Sequence, residues 1–252
     1  RKVSWLKMYD EWYDGAYFRC KSAFRFGDCD NRKKASLYSV MKLLSEISGE
    51  DYEGRGLGHT YLQKQRQALL LSRMSLNFHR MPTYSEKVVA STWERFTKGP
   101  FFYRDYEIEG ENGELLVSGS SLWVLVDPIS REILRPANLV KGLKQSDPRK
   151  SDCPECIKIK KLDELPVIGY RPVFYSDLDG NGHVNNAVYG KMAVDFLPEK
   201  YRQKDIKYFA INFNMETKHN ETLEIRGAEI ENGYAVQGIS DDILHFGCEL
   251  GF

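Results

Sequence analysis

Tyr175-Ser176-Asp177-Leu178-Asp179-Gly180-Asn181-Gly182-His183-Val184-Asn185-Asn186 has a partial copy earlier in the chain, and that duplication decides the fold. Phe26-Gly27-Asp28-Cys29-Asp30 answers Tyr175-Ser176-Asp177-Leu178-Asp179 at a constant offset (177 − 28 = 149). Each copy follows a strand-like run, Tyr17 to Phe26 and Ile168 to Tyr175, and each precedes a helix-like one. In the first, Leu37, Val40, Met41, Leu43, Leu44 and Ile47 line one face of a helix predicted over Ala35 to Ile47. In the second, the helix is predicted over Ala187 to Phe196, with Pro198 as its stop.

A further match lies downstream. Leu76-Asn77-Phe78 answers Ile211-Asn212-Phe213, and Ser85-Glu86-Lys87-Val88 answers Asn220-Glu221-Thr222-Leu223, both at a smaller offset (211 − 76 = 135). The first copy therefore carries a longer excursion, around Gly49 to Gln67. Beyond it both halves run as strands, with the hairpin signals Asn112-Gly113 and Asn232-Gly233. Each half reads as a strand, a central helix and an antiparallel meander. That is an α+β solution in which a sheet wrapped around the helix buries its apolar stripe. The predicted organisation is one unit over residues 1–140, a charged, proline-containing connector over 141–164, and a second unit over 165–252.

Bulk composition narrows the function classes. The chain has 252 residues, 42% of them apolar, and 36 basic against 36 acidic side chains. Zero net charge argues against a general nucleic-acid binder. No apolar run reaches the roughly 18–20 residues of a membrane span, and no signal-peptide core is visible, so a cytoplasmic protein is expected. Cys153-Pro-Glu-Cys156 has the spacing of a zinc or redox pair, but it stands alone in a polar connector. Incidental thiols are the better reading, and no metal or bound cofactor is expected.

The two copies differ in their polar residues. Asp30 keeps the acid of Asp179, but Arg32 stands at the place of Asn181 and Lys34 at that of His183. Downstream, Glu216 has Met81 as its counterpart (216 − 135 = 81). If the stretch is locally extended, Asp179, Asn181 and His183 share a face. The helix that follows would aim backbone N–H groups at the same place. Asp179, Asn181, His183 and Glu216 thus form a candidate set for acid–base chemistry beside a developing oxyanion. The first copy reads as scaffold and pocket wall. His59, His79, His219 and His245 have no such set near them in sequence and read as surface or packing residues.

At these residues the chain resembles the acyl-acyl carrier protein thioesterases of plants and bacteria. The resemblance covers nearly the whole chain, through Leu71-Ser72-Arg73-Met74, Thr92-Trp93, Tyr103-Arg104-Asp105 and Ser121-Leu122-Trp123-Val124. Its most specific part is Asp177 to Tyr189, with the string Asp-x-Asn-x-His-Val-Asn-Asn. It implies a tandem hot-dog fold, catalysis in the C-terminal copy, and an acyl pocket largely in the N-terminal one. By matched motif, Asp179, Asn181, His183 and Glu216 take the catalytic positions. Two departures stand out. Thr217 replaces the cysteine that commonly follows the glutamate in plant members, which removes a Cys–His mechanism there. Tyr189-Gly190-Lys191-Met192 is slighter than the often Trp-containing plant segment.

The implied activity is hydrolysis of fatty acyl thioesters of acyl carrier protein, releasing free fatty acid and ending its synthesis. Either Glu216 or His183 would activate water, and a covalent acyl-glutamate route stays open. Thr217 is expected to matter little, having no adjacent base in sequence. The alternatives are a hot-dog enzyme acting on acyl-CoA and a non-catalytic acyl-binding hot-dog protein. The carrier is acidic, so Lys141, Lys144, Arg149, Lys150, Lys158, Lys160 and Lys161 of the connector are candidate docking charges. A homodimer is compatible with this reading.

Overall fold

The computed structural model describes residues 10–140, 146–162 and 164–252. The first half contains β1 (Glu11–Asp14), β2 (Tyr17–Ala23), α1 (Leu37–Gly54), α2 (His59–Lys64), β3 (Ala68–Phe78), β4 (Lys87–Lys98), β5 (Phe101–Gly110), β6 (Leu115–Val126) and a single turn, α3 (Ala137–Val140). The second contains β7 (Val167–Pro172), α4 (Asn186–Asp195), α5 (Glu199–Arg202), β8 (Tyr208–Phe213), β9 (Thr222–Ile230), β10 (Gly233–Ser240) and β11 (Ile243–Gly251). Among the described residues these strands form one antiparallel sheet in the order β1-β2-β4-β5-β6-β3-β8-β11-β10-β9-β7.

The two halves run through that sheet as images of one another. β2-β4-β5-β6-β3 approaches the centre from one side and β7-β9-β10-β11-β8 from the other. At the seam Met74 pairs with Ile211, Ser75 with Ala210 and Leu76 with Phe209. Ser75 therefore faces its own repeat-equivalent (210 − 75 = 135), while Met74 and Leu76 face each other's. This is the self-complementary pairing of a two-fold dimer, built inside one chain. It is a tandem hot-dog: each half wraps its sheet around a central helix.

α1 and α4 are those helices, and they pack against each other on the inner face. Leu37, Val40, Met41, Leu44 and Ile47 of α1 are buried there. Gly190 permits the close approach, since a Cβ at that position would stand 2.4 Å from Met41 Sδ and 3.3 Å from Leu37 Cγ. The short residue in Tyr189-Gly190-Lys191 thus has a packing cause.

Two expectations need correction. α1 continues to Gly54 instead of stopping at Ile47, so the start of the predicted excursion is helical. The inner face there carries Ser48, Asp51 and Tyr52, all buried, which an apolar periodicity does not register. Asp51 takes bonds from Arg104 Nη2 at 2.9 Å and Arg55 Nε at 2.6 Å. Secondly, both strands before the repeated loop end early, β2 at Ala23 and β7 at Pro172. The carboxylates of Asp28 and Asp177 accept the N–H of Arg25 at 2.8 Å and of Phe174 at 2.9 Å, which folds each chain into a 3₁₀ turn.

The described part of the connector is a strap. Residues 146–162 cross the outer face of the sheet, where Ser151 N donates to Asp105 Oδ2 at 2.8 Å. Asn212 accepts from Ile159 N and donates to Ile157 O, both at 2.9 Å. Asn77, its repeat-equivalent, donates to Asp152 O at 3.2 Å. Beneath the strap Cys153 and Cys156 are free and donate to backbone carbonyls of Ser75 and Ser120. Burial pushes both thiols up, Cys156 to about 11, so neither offers a thiolate at neutral pH. Among the described residues no helix is long and apolar enough to cross a membrane.

Candidate active site

Asp179 builds the loop that carries His183. Its Oδ1 accepts from Asn181 N at 2.8 Å and His183 N at 3.3 Å, and its own N–H donates to His183 O at 2.8 Å. Gly182 closes the turn at φ +79°, a left-handed conformation that suits glycine. The stretch is therefore a tight turn, and the alternation of faces expected of an extended segment does not apply. Asp179 acts on the backbone of the loop. Asn181 stands exposed at its tip, and among the described residues no hydrogen bond joins its side chain to His183 or Glu216. Asn185 caps α4, its Oδ1 accepting from Ala187 N at 2.9 Å, which occupies one amide expected to face the site.

The first half forms the same turn. Asp30 Oδ1 accepts from Arg32 N at 2.8 Å and Lys34 N at 3.0 Å, with Lys33 at φ +60° in the place of Gly182. An aspartate here serves folding in both halves. The chemical difference lies in what the turn displays.

Beyond β8 the chain bends because Asn214 N and Met215 N both donate to His245 O, at 2.8 and 3.1 Å. The next residue, Glu216, then stands beside His183, with Oε2 3.5 Å from Nε2. Val184 N donates to Thr217 O at 3.0 Å and ties the two segments together. The side chains of His183 and Glu216 are 28% and 24% exposed, open enough to meet water and substrate. In the first half, Ala35 N donates to Pro82 O at 2.8 Å in the same arrangement, but Met81 is buried and brings no acid. Arg32 and Lys34 turn instead to Asp205 of the second half, at 3.1 and 2.5 Å. The Lys34 ammonium holds that carboxyl below the ordinary range.

Three partners of this site had no local signal in the sequence. Arg131, from the turn after β6, places Nη1 2.5 Å from Glu216 Oε2. Tyr189 and His245 flank Thr217, which is wholly buried. Tyr189 Oη donates to Thr217 Oγ1 at 2.9 Å, leaving the threonine hydrogen for His245 Nδ1 at 2.8 Å. A neutral ring fits that acceptor, and burial pushes His245 below its ordinary value against the pull of Glu221 and Asp241. His245 is therefore a packing residue, one of the two expected readings, while Thr217 has a base beside it that its neighbours in sequence do not show. Burial still denies Thr217 a substrate carbonyl, so its hydroxyl is a joint and not a nucleophile. Thr217→Ala should lower stability by about 1–3 kcal/mol through unpartnered Tyr189 and His245, while Thr217→Ser should stay near wild type. Urea midpoints of the three proteins check this.

Comparison with known proteins shows the family and the fold. The model of the acyl-ACP thioesterase N-terminal domain matches residues 15–140, and that of the C-terminal domain matches 160–244. A palmitoyl-acyl carrier protein thioesterase of Cuphea hookeriana is 27% identical over 227 residues, covering 84% of this chain and 54% of its own length. An oleoyl-acyl carrier protein thioesterase of Coriandrum sativum is 24% identical over 246 residues, covering 90% of this chain and 66% of its own. The chain thus spans about half the length of the first of these and about two thirds of the second. Two solved structures share the fold. The 12:0-ACP thioesterase of Umbellularia californica superposes with a TM-score of 0.83 at 20% identity, covering 95% of this chain and 98% of its own. An acyl-ACP thioesterase of Bacteroides thetaiotaomicron does so at 0.80 and 21%, covering 94% and 98%. Matched in both halves by that family's two domain models, the chain belongs to the acyl-ACP thioesterases.

Proposed function

We propose that the protein hydrolyses the thioester between a fatty acyl chain and the phosphopantetheine arm of acyl carrier protein. The observation that carries this reading is the His183–Glu216 pair, present in the second half alone and open to solvent. Glu216 takes a proton from water as its oxygen attacks the thioester carbon. The C–S bond breaks, and His183 returns a proton to the leaving thiolate. Asp179 holds the turn that presents His183, and Asn181, exposed at the tip of that turn, is assigned to bond the water or the developing oxyanion. The scheme uses side chains and water only, and its products are a fatty acid and a free thiol.

The residues assigned to the reaction all lie in the second half of one chain. Activity per chain should therefore not depend on protein concentration, whether or not chains pair into a homodimer. We place the reaction in the cytoplasm, although the curated plant relatives are chloroplastic.

The connector lends an acidic carrier less free charge than its composition suggests. Lys141 and Lys144 lie outside the described residues. Arg149 is held by two 2.9 Å bonds to Glu107, and Lys150 lies 3.8 Å from Glu155. Lys158 and Lys160 remain exposed on the strap. Steering by exposed charges fades as salt shortens their reach below about 8–10 Å. Rates on acyl-carrier and acyl-CoA forms of graded chain length, measured across rising salt, test both carrier and docking. The carrier form should be preferred at low salt and lose that advantage as salt rises. A preference for acyl-CoA throughout would move the protein to the alternative substrate class.

A further inference from the structure

Glu216 has a second partner besides His183, and it comes from the other half of the chain. Arg131 Nη1 stands 2.5 Å from Glu216 Oε2, the same oxygen that lies 3.5 Å from His183 Nε2. The turn bearing Arg131 is firmly set. Asp127 Oδ1 accepts from Ile129 N at 2.8 Å and Ser130 N at 3.1 Å, and Arg131 N donates to Asp127 O at 2.9 Å. Arg131 itself sits at φ +64°, a conformation a non-glycine residue keeps only when its surroundings hold it there. At the other repeated loop ion pairs also cross between halves, again with the cations on the first half: Arg32 and Lys34 meet Asp205 of the second.

We propose that Arg131 is a positioning residue for Glu216, completing the C-terminal site from the N-terminal half. The proposal rests on the thioesterase reading above. Glu216 hangs on a segment beyond a strand end, with three side-chain torsions to fix, and 3.5 Å to His183 is too long to fix them alone. A short charge-assisted contact from a backbone-locked arginine supplies that restraint. Because Arg131 acts through Glu216, its effect should depend on that carboxylate being present.

The test is a double-mutant cycle read on two substrates, an acyl-carrier thioester and the matching acyl-pantetheine thioester, which lacks the phosphate. Arg131→Met should lower kcat about tenfold on both, leave KM within about twofold, and be largely rescued by Arg131→Lys. In a Glu216→Gln background the same change should alter kcat by less than about twofold. A full tenfold loss persisting in that background would make Arg131 merely structural. A loss confined to KM for the phosphate-bearing substrate would make it an anion-docking residue instead. Either result overturns the proposal, as does wild-type kcat in Arg131→Met. If wild-type protein cleaves neither thioester, the functional reading falls, and crystals of Arg131→Met still decide this one. Glu216 turned away from His183 supports positioning, and an unmoved Glu216 refutes it.

Discussion

Glu216→Gln and His183→Ala should each lower kcat on an acyl-carrier thioester by about 10²–10⁴, the usual scale for a lost acid–base group. Neither change should disturb folding much, because both side chains are about a quarter exposed and neither fills the core. Glu216→Gln keeps the volume and one acceptor oxygen but cannot take the proton. Asp179→Ala makes a useful contrast. Its carboxylate serves two backbone N–H groups of the loop, so its loss should appear in stability as well as in rate. Steady-state thiol release, with circular dichroism as the folding control, separates the two cases. Turnover within about threefold of wild type in both Glu216→Gln and His183→Ala would remove the assigned chemistry.

Arg104→Met should be the most damaging change away from the site. Arg104 is wholly buried, with Asp51 at 2.9 Å, Glu94 at 3.0 Å and Thr92 Oγ1 at 3.0 Å. The Tyr52 ring lies 4.8 Å from the guanidinium, and the Tyr52 hydroxyl bonds to Glu94. Methionine matches the stem but leaves Glu94 in the core without its cation and Asp51 with Arg55 alone. Breaking a buried network from one side costs about 3–5 kcal/mol. At roughly 2–4 °C per kcal/mol for a chain of this size, Tm should fall on the order of 10 °C. Arg149→Met, which breaks a more exposed pair with Glu107, should cost about 1 kcal/mol or less. Calorimetry on the two variants checks the ranking, and equal losses would contradict it.

Much of the fold could be read because the chain repeats itself. The two offsets located both central helices and the meanders, and they survive down to single bonds such as Ala35 to Pro82 and Val184 to Thr217. The end of α1 escaped because its inner face turns polar at Ser48 and Asp51, whose burial depends on Arg104, 53 positions away from Asp51. In the site, Glu216 was visible through its contrast with Met81. His245 was passed over because its partner Thr217 lies 28 positions distant, and Arg131 because nothing on its own segment hints at a carboxylate across the seam. Contacts made only by tertiary closure leave no local pattern to read. The alternation that seemed to gather Asp179, Asn181 and His183 failed for a different reason: Asp179 spends its acceptors on the turn.

The idea that one of two folded copies does the chemistry is tested most directly by thiol release from an acyl-carrier thioester under multiple turnover. Wild type and Met81→Leu, a volume-conserving change at the first-half counterpart of Glu216, should turn over alike, while the His183→Ala/Glu216→Gln double variant should fall by at least about 10². Turnover that survives the double variant, or that is lost in a folded Met81→Leu protein, would place the chemistry elsewhere.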